Sequence, residues 1–93
     1  MNTLAFQLSV SFIKENDQFV AFSPALDLST AGKTLEEAKK HFTEAAQLFF
    51  EELKESGNTE EVLSGLGWAK KNDSFIPPMI VSQQIESIRI PAF

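Results

Sequence analysis

The chain has 93 residues, with 8 Lys and Arg against 13 Asp and Glu, and so carries a formal net charge of −5. It contains no cysteine and one histidine, which excludes a disulfide framework, a thiolate zinc site and a cysteine nucleophile. The acidic balance argues against a general nucleic-acid binder, because phosphate binding requires Lys and Arg. The length predicts a single domain, residues 1–93.

The start of the chain carries no recognisable targeting signal. Met1-Asn2-Thr3-Leu4 has neither a basic region nor an unbroken apolar stretch, so we do not expect a signal peptide. No run approaches the roughly 18 apolar residues of a membrane span. These observations predict a soluble, cytoplasmic protein.

Three short strands are predicted before the first helix. Apolar and polar residues alternate from Leu4 to Phe12, which indicates a strand with one buried face. A polar stretch at residues 14–18 suits a hairpin loop, and further strands are predicted at residues 19–22 and 26–30.

The second predicted strand is apolar on both faces. A single layer of helix covers one face of a sheet, so one of two pairs must point away from it. The two pairs are Phe19 with Ala21, and Val20 with Phe22. The uncovered surface and the free sheet edges favour a homodimer or a higher homo-oligomer.

A long amphipathic helix follows these strands. Thr34 and Glu37 fit a capping box, in which the Thr34 hydroxyl accepts from the backbone of Glu37 and Glu37 reaches back. Gly32 is expected to supply a flexible entry. Apolar residues then recur at every third or fourth position over about 22 residues. They are Leu35, Ala38, Phe42, Ala45, Phe49 and Leu53. Gly57 is placed to take a left-handed cap, and a shorter helix is expected from about Asn58.

The remainder of the chain gives weaker signals. Residues 67–84 are predicted to be irregular, with Trp68 anchoring the start of this loop in the core. Residues 85–90 are β-prone and predict a fourth strand, which Pro91 ends. Together these elements predict the α+β class: a two-layer β-β-β-α-β domain, with an antiparallel sheet and one long helix packed on one face.

The negative charge is concentrated in one segment. Residues 34–61 contain three Lys and eight Glu, a net charge of −5. Four glutamates share a strip opposite the apolar stripe, with Leu48 beside it: Glu37, Glu44, Glu51 and Glu55. Such a strip is either an ordinary solvated face or a contact surface for a basic protein. The candidate partner-binding residues are Glu37, Glu44, Leu48 and Glu51.

Catalytic groups are scarce. His41 has Glu37 and Glu44 within helical reach but no serine, so we interpret it as a solvated histidine. A ribonuclease H-like site needs several clustered carboxylates around Mg²⁺, and the strands supply only Asp27 and Glu86. We therefore predict no catalytic, metal-binding or cofactor-binding residues, no cofactor, and a protein that is not an enzyme.

A family resemblance rests on two stretches. They read Phe19-Val20-Ala21-Phe22-Ser23-Pro24-Ala25-Leu26 and Ala31-Gly32-Lys33-Thr34-Leu35-Glu36-Glu37-Ala38. In this order they resemble the N-terminal domain of HicB-like antitoxins, where a Val-Ala strand ends in Pro-x-Leu and Gly-x-Thr-x-x-Glu-Ala opens the long helix. The similarity covers about residues 4–56, and the Leu66-Gly67-Trp68 element also looks like short family members.

The resemblance implies a β-β-β-α-β fold, homo-oligomers and a role in a prokaryotic toxin–antitoxin system. The chain would bind a small basic HicA-type RNase toxin that cleaves mRNA and would block its catalytic face. Two features depart from the family pattern. Asp27-Leu28-Ser29 replaces a Pro-Gly-Cys element, and no basic recognition helix follows residue 67, which argues against operator DNA binding.

An alternative function remains open. The same fold could serve as a stand-alone oligomeric adaptor or small-ligand-binding domain with no toxin partner. Such a protein would use the apolar outer face of the sheet and the loop at residues 67–84.

Overall fold

Residues 6–92, which the computed structural model describes, form five strands and two helices. In chain order these are β1 (Ser11–Glu15), β2 (Gln18–Ser23), β3 (Leu28–Gly32), α1 (Leu35–Ser56), α2 (Thr59–Gly65), β4 (Ala69–Lys71) and β5 (Ser74–Ile76). Leu4, where the first strand is predicted to begin, lies outside the described residues, as do Met1, Asn2 and Thr3, which were considered for a targeting signal. The described part of this strand is placed later than predicted. Residues 6–10 are not in a strand, and β1 runs from Ser11 to Glu15, because pairing with β2 begins only at Ser11.

The first three strands form an antiparallel sheet with β2 in the centre. Ser11 of β1 pairs with Phe22 of β2, and the turn between these strands has two residues. Asn16 in this turn has a φ of 56°, a left-handed conformation that asparagine tolerates in tight hairpins. The loop predicted at residues 14–18 is therefore shorter, because its ends continue both strands.

The two faces of β2 are now distinguished. Ala21 and Ser23 are fully buried on the side of α1. Val20 and Phe22 alternate with them on the outer face and are half-buried. Of the two alternatives left open by the composition of this strand, Val20 and Phe22 are the pair that points away from the helix.

β3 begins two residues later than predicted. Asp27 lies in a turn, where its N–H donates to the Pro24 carbonyl at 3.3 Å and its φ is 48°. Because the chain turns here, Leu26 enters the core and is 3% exposed. The strand proper starts at Leu28.

α1 agrees with its prediction at both ends. It begins at Leu35 and ends at Ser56, a length of 22 residues. The Thr34 hydroxyl accepts from the Glu37 N–H at 3.0 Å, and Gly57 takes the left-handed cap with a φ of 75°. Its buried side chains lie on the predicted stripe: Ala38, Phe42 and Leu53. The N-terminal cap and the amphipathic stripe are confirmed.

Trp68 anchors the segment after α2 in the core, as predicted. Its side chain is 5% exposed, and its indole N–H donates to the Ala25 carbonyl at 2.6 Å. The rings of Phe6 and Phe50 contact it edge-on, with centroids 5.1 and 6.1 Å away. The hydrogen bond ties the end of α2 to the connection between β2 and β3.

The last part of the chain differs from its prediction. The segment expected to be irregular contains the β4–β5 hairpin, with Asn72 at a φ of 57° in its turn. The fourth strand predicted at residues 85–90 is absent, and residues 77–92 form neither helix nor strand. A β-prone segment becomes a strand only when an edge supplies backbone partners. The α+β class, with an antiparallel sheet and one long helix on one face, is confirmed.

Candidate protein-binding surfaces

The acidic strip runs along the solvent side of α1. It consists of Glu37, Glu44, Glu51 and Glu55, with Leu48 beside it. Because α1 is continuous through these positions, the strip lies opposite the buried Phe42. Glu44, Glu51 and Glu55 are exposed, and Leu48 is 55% exposed. The structure thus brings Glu44, Leu48 and Glu51 together in one accessible group.

Glu37 differs from the other members of the strip. It is half-buried, and its Oε1 accepts from the backbone N–H of Lys33 at 3.4 Å. Its own N–H donates to Thr34. The carboxylate is therefore held at the N-terminus of α1, where the helix dipole favours negative charge. Among the four candidate residues, Glu37 serves as a capping residue at one end of the strip.

No salt bridge neutralises the strip. Within residues 6–92 the single salt bridge joins Lys70 Nζ on β4 to Glu60 Oε2 on α2, at 3.1 Å. Lys40 lies one turn before Glu44 and is exposed, but it forms no ion pair there. The exposed carboxylates are therefore available to a cationic partner, and their attraction for it would be screened by salt.

An apolar groove lies between α1 and the chain leading into β1. Its volume is about 680 Å³. Its apolar lining consists of Phe6, Leu8, Val10, Phe12, Phe42, Ala46 and Phe50. Phe6 is 38% exposed and Phe12 is 43% exposed. The alternation of the first strand predicted that this face would be buried. It stays partly open because α1 packs on β2 and β3 and leaves β1 uncovered.

The outer face of the sheet forms a third surface. Ile13 of β1 pairs directly with Val20 of β2, and Phe22 lies two residues along the same face. Ile13 is 45% exposed, and its two neighbours are half-buried. This apolar patch points away from α1. Because β2 is apolar on both faces and α1 covers only one, such an uncovered patch was expected.

The ring of His41 contacts the sheet. Its Nδ1 lies 2.7 Å from the Ala31 carbonyl, and since a carbonyl oxygen only accepts, this nitrogen donates. This hydrogen bond links α1 to β3. The interpretation of His41 as a solvated histidine did not predict this bond.

No group of three or more His, Asp or Glu side chains within residues 6–92 is arranged to hold a metal ion. Asp27 lies in the turn before β3, and Glu86 is exposed in the extended segment after β5. Neither side chain belongs to a described group of three or more carboxylate or imidazole side chains that could hold a metal ion.

Comparison with known proteins adds no relative. No protein family matches the chain, and searches of curated proteins and of solved structures found no similar protein. Between residues 6 and 92 no helix is both long and apolar enough to cross a membrane. The chemistry of the three surfaces is therefore the guide to function.

Proposed function

We propose that the chain is a protein-binding module that neutralises a small basic RNase toxin, in the manner of HicB-like antitoxins. The observation that supports this function is the exposed, unpaired group of Glu44, Leu48 and Glu51 on α1. A protein that cleaves RNA must hold phosphates with Lys and Arg, so its active face is basic. The acidic strip is complementary in sign to such a face.

Occlusion of a toxin requires no catalytic group on this chain. The strip from Glu44 to Glu55 spans about 16 Å along a rigid helix, enough to lie across a small active-site cleft. Leu48 is an apolar contact beside the carboxylates, where exclusion of water would strengthen the surrounding ion pairs. Toxin cations paired with the strip would no longer be free to bind RNA phosphates.

The test is co-expression of the chain with the product of a small basic open reading frame beside its gene. We expect the two proteins to co-purify and the chain to inhibit RNA cleavage at a fixed stoichiometry. The Glu44→Lys variant should bind roughly tenfold or more weakly and show a smaller salt dependence, because it places a like charge against the basic face.

Glu61→Lys on α2 is the matched control, since Glu61 is exposed and the charge change is the same. We expect this variant to bind with nearly unchanged affinity. Equal losses in the two variants would remove the strip from the interface. A basic neighbour that fails to co-purify, or the lack of such a neighbour, would reject the antitoxin function.

A second candidate function is an adaptor without a toxin partner. The apolar patch of Ile13, Val20 and Phe22 favours it, because such a patch offers a contact surface that needs no charge complementarity. If the chain has this function, Glu44→Lys should leave binding of the partner unchanged, whereas Ile13→Glu should abolish it.

A further inference from the structure

The last described segment of the chain has no packing partner. Residues 84–92, here called the arm, are exposed throughout, with Ile85 fully exposed and Ile88 at 74%. The molecule measures 52 × 29 × 21 Å and its radius of gyration is 16.0 Å, whereas a compact chain of this length would have about 12 Å. Apolar side chains on a projecting arm are unfavourable in an isolated molecule.

The arm has the sequence of a strand. Ile88 and Ile90 lie two residues apart and so share one side of an extended chain, with Ser87 and Arg89 on the other side. The branched side chains favour β-structure. What the arm lacks is a neighbouring backbone to pair with.

The base of the arm runs beside the chain that leads into β1. The Ile80 N–H donates to Ser9 Oγ at 3.1 Å, and Gln83 Nε2 donates to Ser11 Oγ at 2.7 Å. Both bonds use serine side chains, and no backbone pairing follows. Beyond Gln83 the arm leaves β1, whose outer edge is unpaired within the described residues.

β1 is the more accessible of the two edges of the sheet. α1 covers the β3 side, where His41 donates to the Ala31 carbonyl. No helix covers β1, and Phe12 and Ile13 are 43% and 45% exposed on its two faces. The apolar groove lies along the inner side of this strand. An unpaired edge beside an apolar groove is suited to receive an additional strand.

We propose that two copies of the chain exchange their arms, so that each arm pairs with the β1 edge of the other copy. Ile88 and Ile90 turn toward the apolar groove, and Ser87 and Arg89 face outward. One two-fold axis satisfies both exchanges. The nine residues of the arm, the five of β1 and the six apolar groove residues outside β1 give about 20 residues a side, the lower end of the roughly 20–30 of a standard interface. The inference is independent of the toxin-binding function, because the acidic strip lies on the other side of α1.

The first test is the mass of the full chain by light scattering over a range of concentrations. We expect twice the chain mass of 10.4 kDa at high concentration. Ile88→Glu should weaken self-association by roughly tenfold or more, because it places a charge in the groove. Ser87→Glu adds the same charge on the outward side of the arm and should leave the dimer nearly unchanged.

These variants test the arm without unfolding the rest of the molecule. The arm side chains they alter are exposed in a single copy, so the circular dichroism of each variant should match that of the native chain. A native chain that stays monomeric would overturn the proposal. A dimer that Ile88→Glu and Ser87→Glu affect equally would overturn it as well.

The second test locates the contact by disulfide cross-linking. Because the native chain has no cysteine, the introduced cysteines are the only thiols present. A chain carrying Arg89→Cys is mixed with a second chain carrying Ser11→Cys, Ile13→Cys or Glu15→Cys, which are outer-face positions of β1. Any mixed disulfide is then intermolecular. We expect it at one or more of these positions and not with Glu55→Cys on α1.

Other cross-linking results would reject the exchange. No mixed disulfide at any of the three β1 positions would show that the arm does not reach this edge. Efficient cross-linking of the Arg89→Cys chain with itself would show that two arms pair with each other. A disulfide within one chain carrying both Arg89→Cys and Ile13→Cys, at a concentration where the native chain is dimeric, would show that each arm folds back on its own β1.

Discussion

At the scale of single residues, small side chains set how closely α1 approaches the sheet. A Cβ added at Gly32 would lie 2.5 Å from the backbone nitrogen of Ala38 and 2.9 Å from the carbonyl carbon of Glu37. Ala38 is itself fully buried, and its carbonyl accepts from the Thr30 hydroxyl at 3.1 Å. The first turn of α1 therefore rests directly on the end of β3, with no room for another methyl group.

We predict that Gly32→Ala lowers the free energy of unfolding by about 2–3 kcal/mol, because backbone atoms must move to admit the methyl group. Gly65→Ala is the matched control. Gly65 ends α2 with nothing near its Cβ position, so we expect alanine there to raise the free energy of unfolding by up to about 1 kcal/mol. Urea unfolding followed by the fluorescence of Trp68, the single tryptophan, measures both. Equal effects of the two substitutions would contradict the close-approach role of Gly32.

The role of Gly32 shows what a local pattern can and cannot reveal. Its place before a capping box predicts an entry to a helix, and the helix is there. Its φ is not left-handed, so conformational freedom is not what the position requires. The requirement comes from Ala38, which packs against it only in the folded chain. Steric fit between elements has no signature in a single sequence.

At the scale of elements, α1 is determined by residues close to it in the sequence, whereas the β-structure after it depends on more than its own residues. The bounds of α1 follow from Thr34, Glu37 and Gly57, each within a few residues of a helix end. The strands of the β4–β5 hairpin have three residues each, too few to show a period of two. The hairpin was present but not predicted, whereas the strand in the arm was predicted but is absent. The isoleucines of the arm favour a strand, but a single chain offers it no partner strand.

The apolar groove also depended on long-range packing. The alternating residues Phe6, Leu8, Val10 and Phe12 do line one groove, but of these only Phe12 lies in β1. Which strands α1 covers is decided elsewhere, by the contact of Gly32 with Ala38 and by the hydrogen bond from His41 to Ala31. Because those contacts draw α1 toward β3, the groove beside β1 stays open.

We predict that Thr34→Ala destabilises the protein by about 1 kcal/mol, because the Glu37 N–H loses its acceptor at the start of α1. Thr43→Ala is the matched control on the same helix. Thr43 is exposed in mid-helix, and its hydroxyl bonds only to the Lys39 carbonyl, so alanine should be neutral or stabilise by up to about 0.5 kcal/mol. Thermal unfolding by far-UV circular dichroism compares the two. A loss on Thr43→Ala as large as that on Thr34→Ala would mean that the cap does not stabilise α1.

At the scale of the whole molecule, the charge distribution is uneven. Residues 34–61 carry a net charge of −5, residues 1–33 carry −1 and residues 62–93 carry +1. Within the acidic strip Glu51 and Glu55 lie one helical turn apart, a spacing at which like charges repel. The strip thus costs the isolated chain some stability, and a cationic partner would remove that cost.

Salt should therefore act in opposite directions on the free chain and on its complex. We predict that added sodium chloride stabilises the free chain by about 0.5 kcal/mol, which is roughly 2–4 °C in Tm, because it screens repulsion along the strip. The same salt should weaken binding of a basic partner.

Neutralising the pair with Glu51→Gln and Glu55→Gln should reduce both salt effects. Glu15→Gln on β1 removes an exposed carboxylate outside the strip and should change neither. Thermal scans and titration calorimetry across ionic strength measure the two slopes. Slopes of the same sign would show that the strip does not govern the electrostatics of this protein.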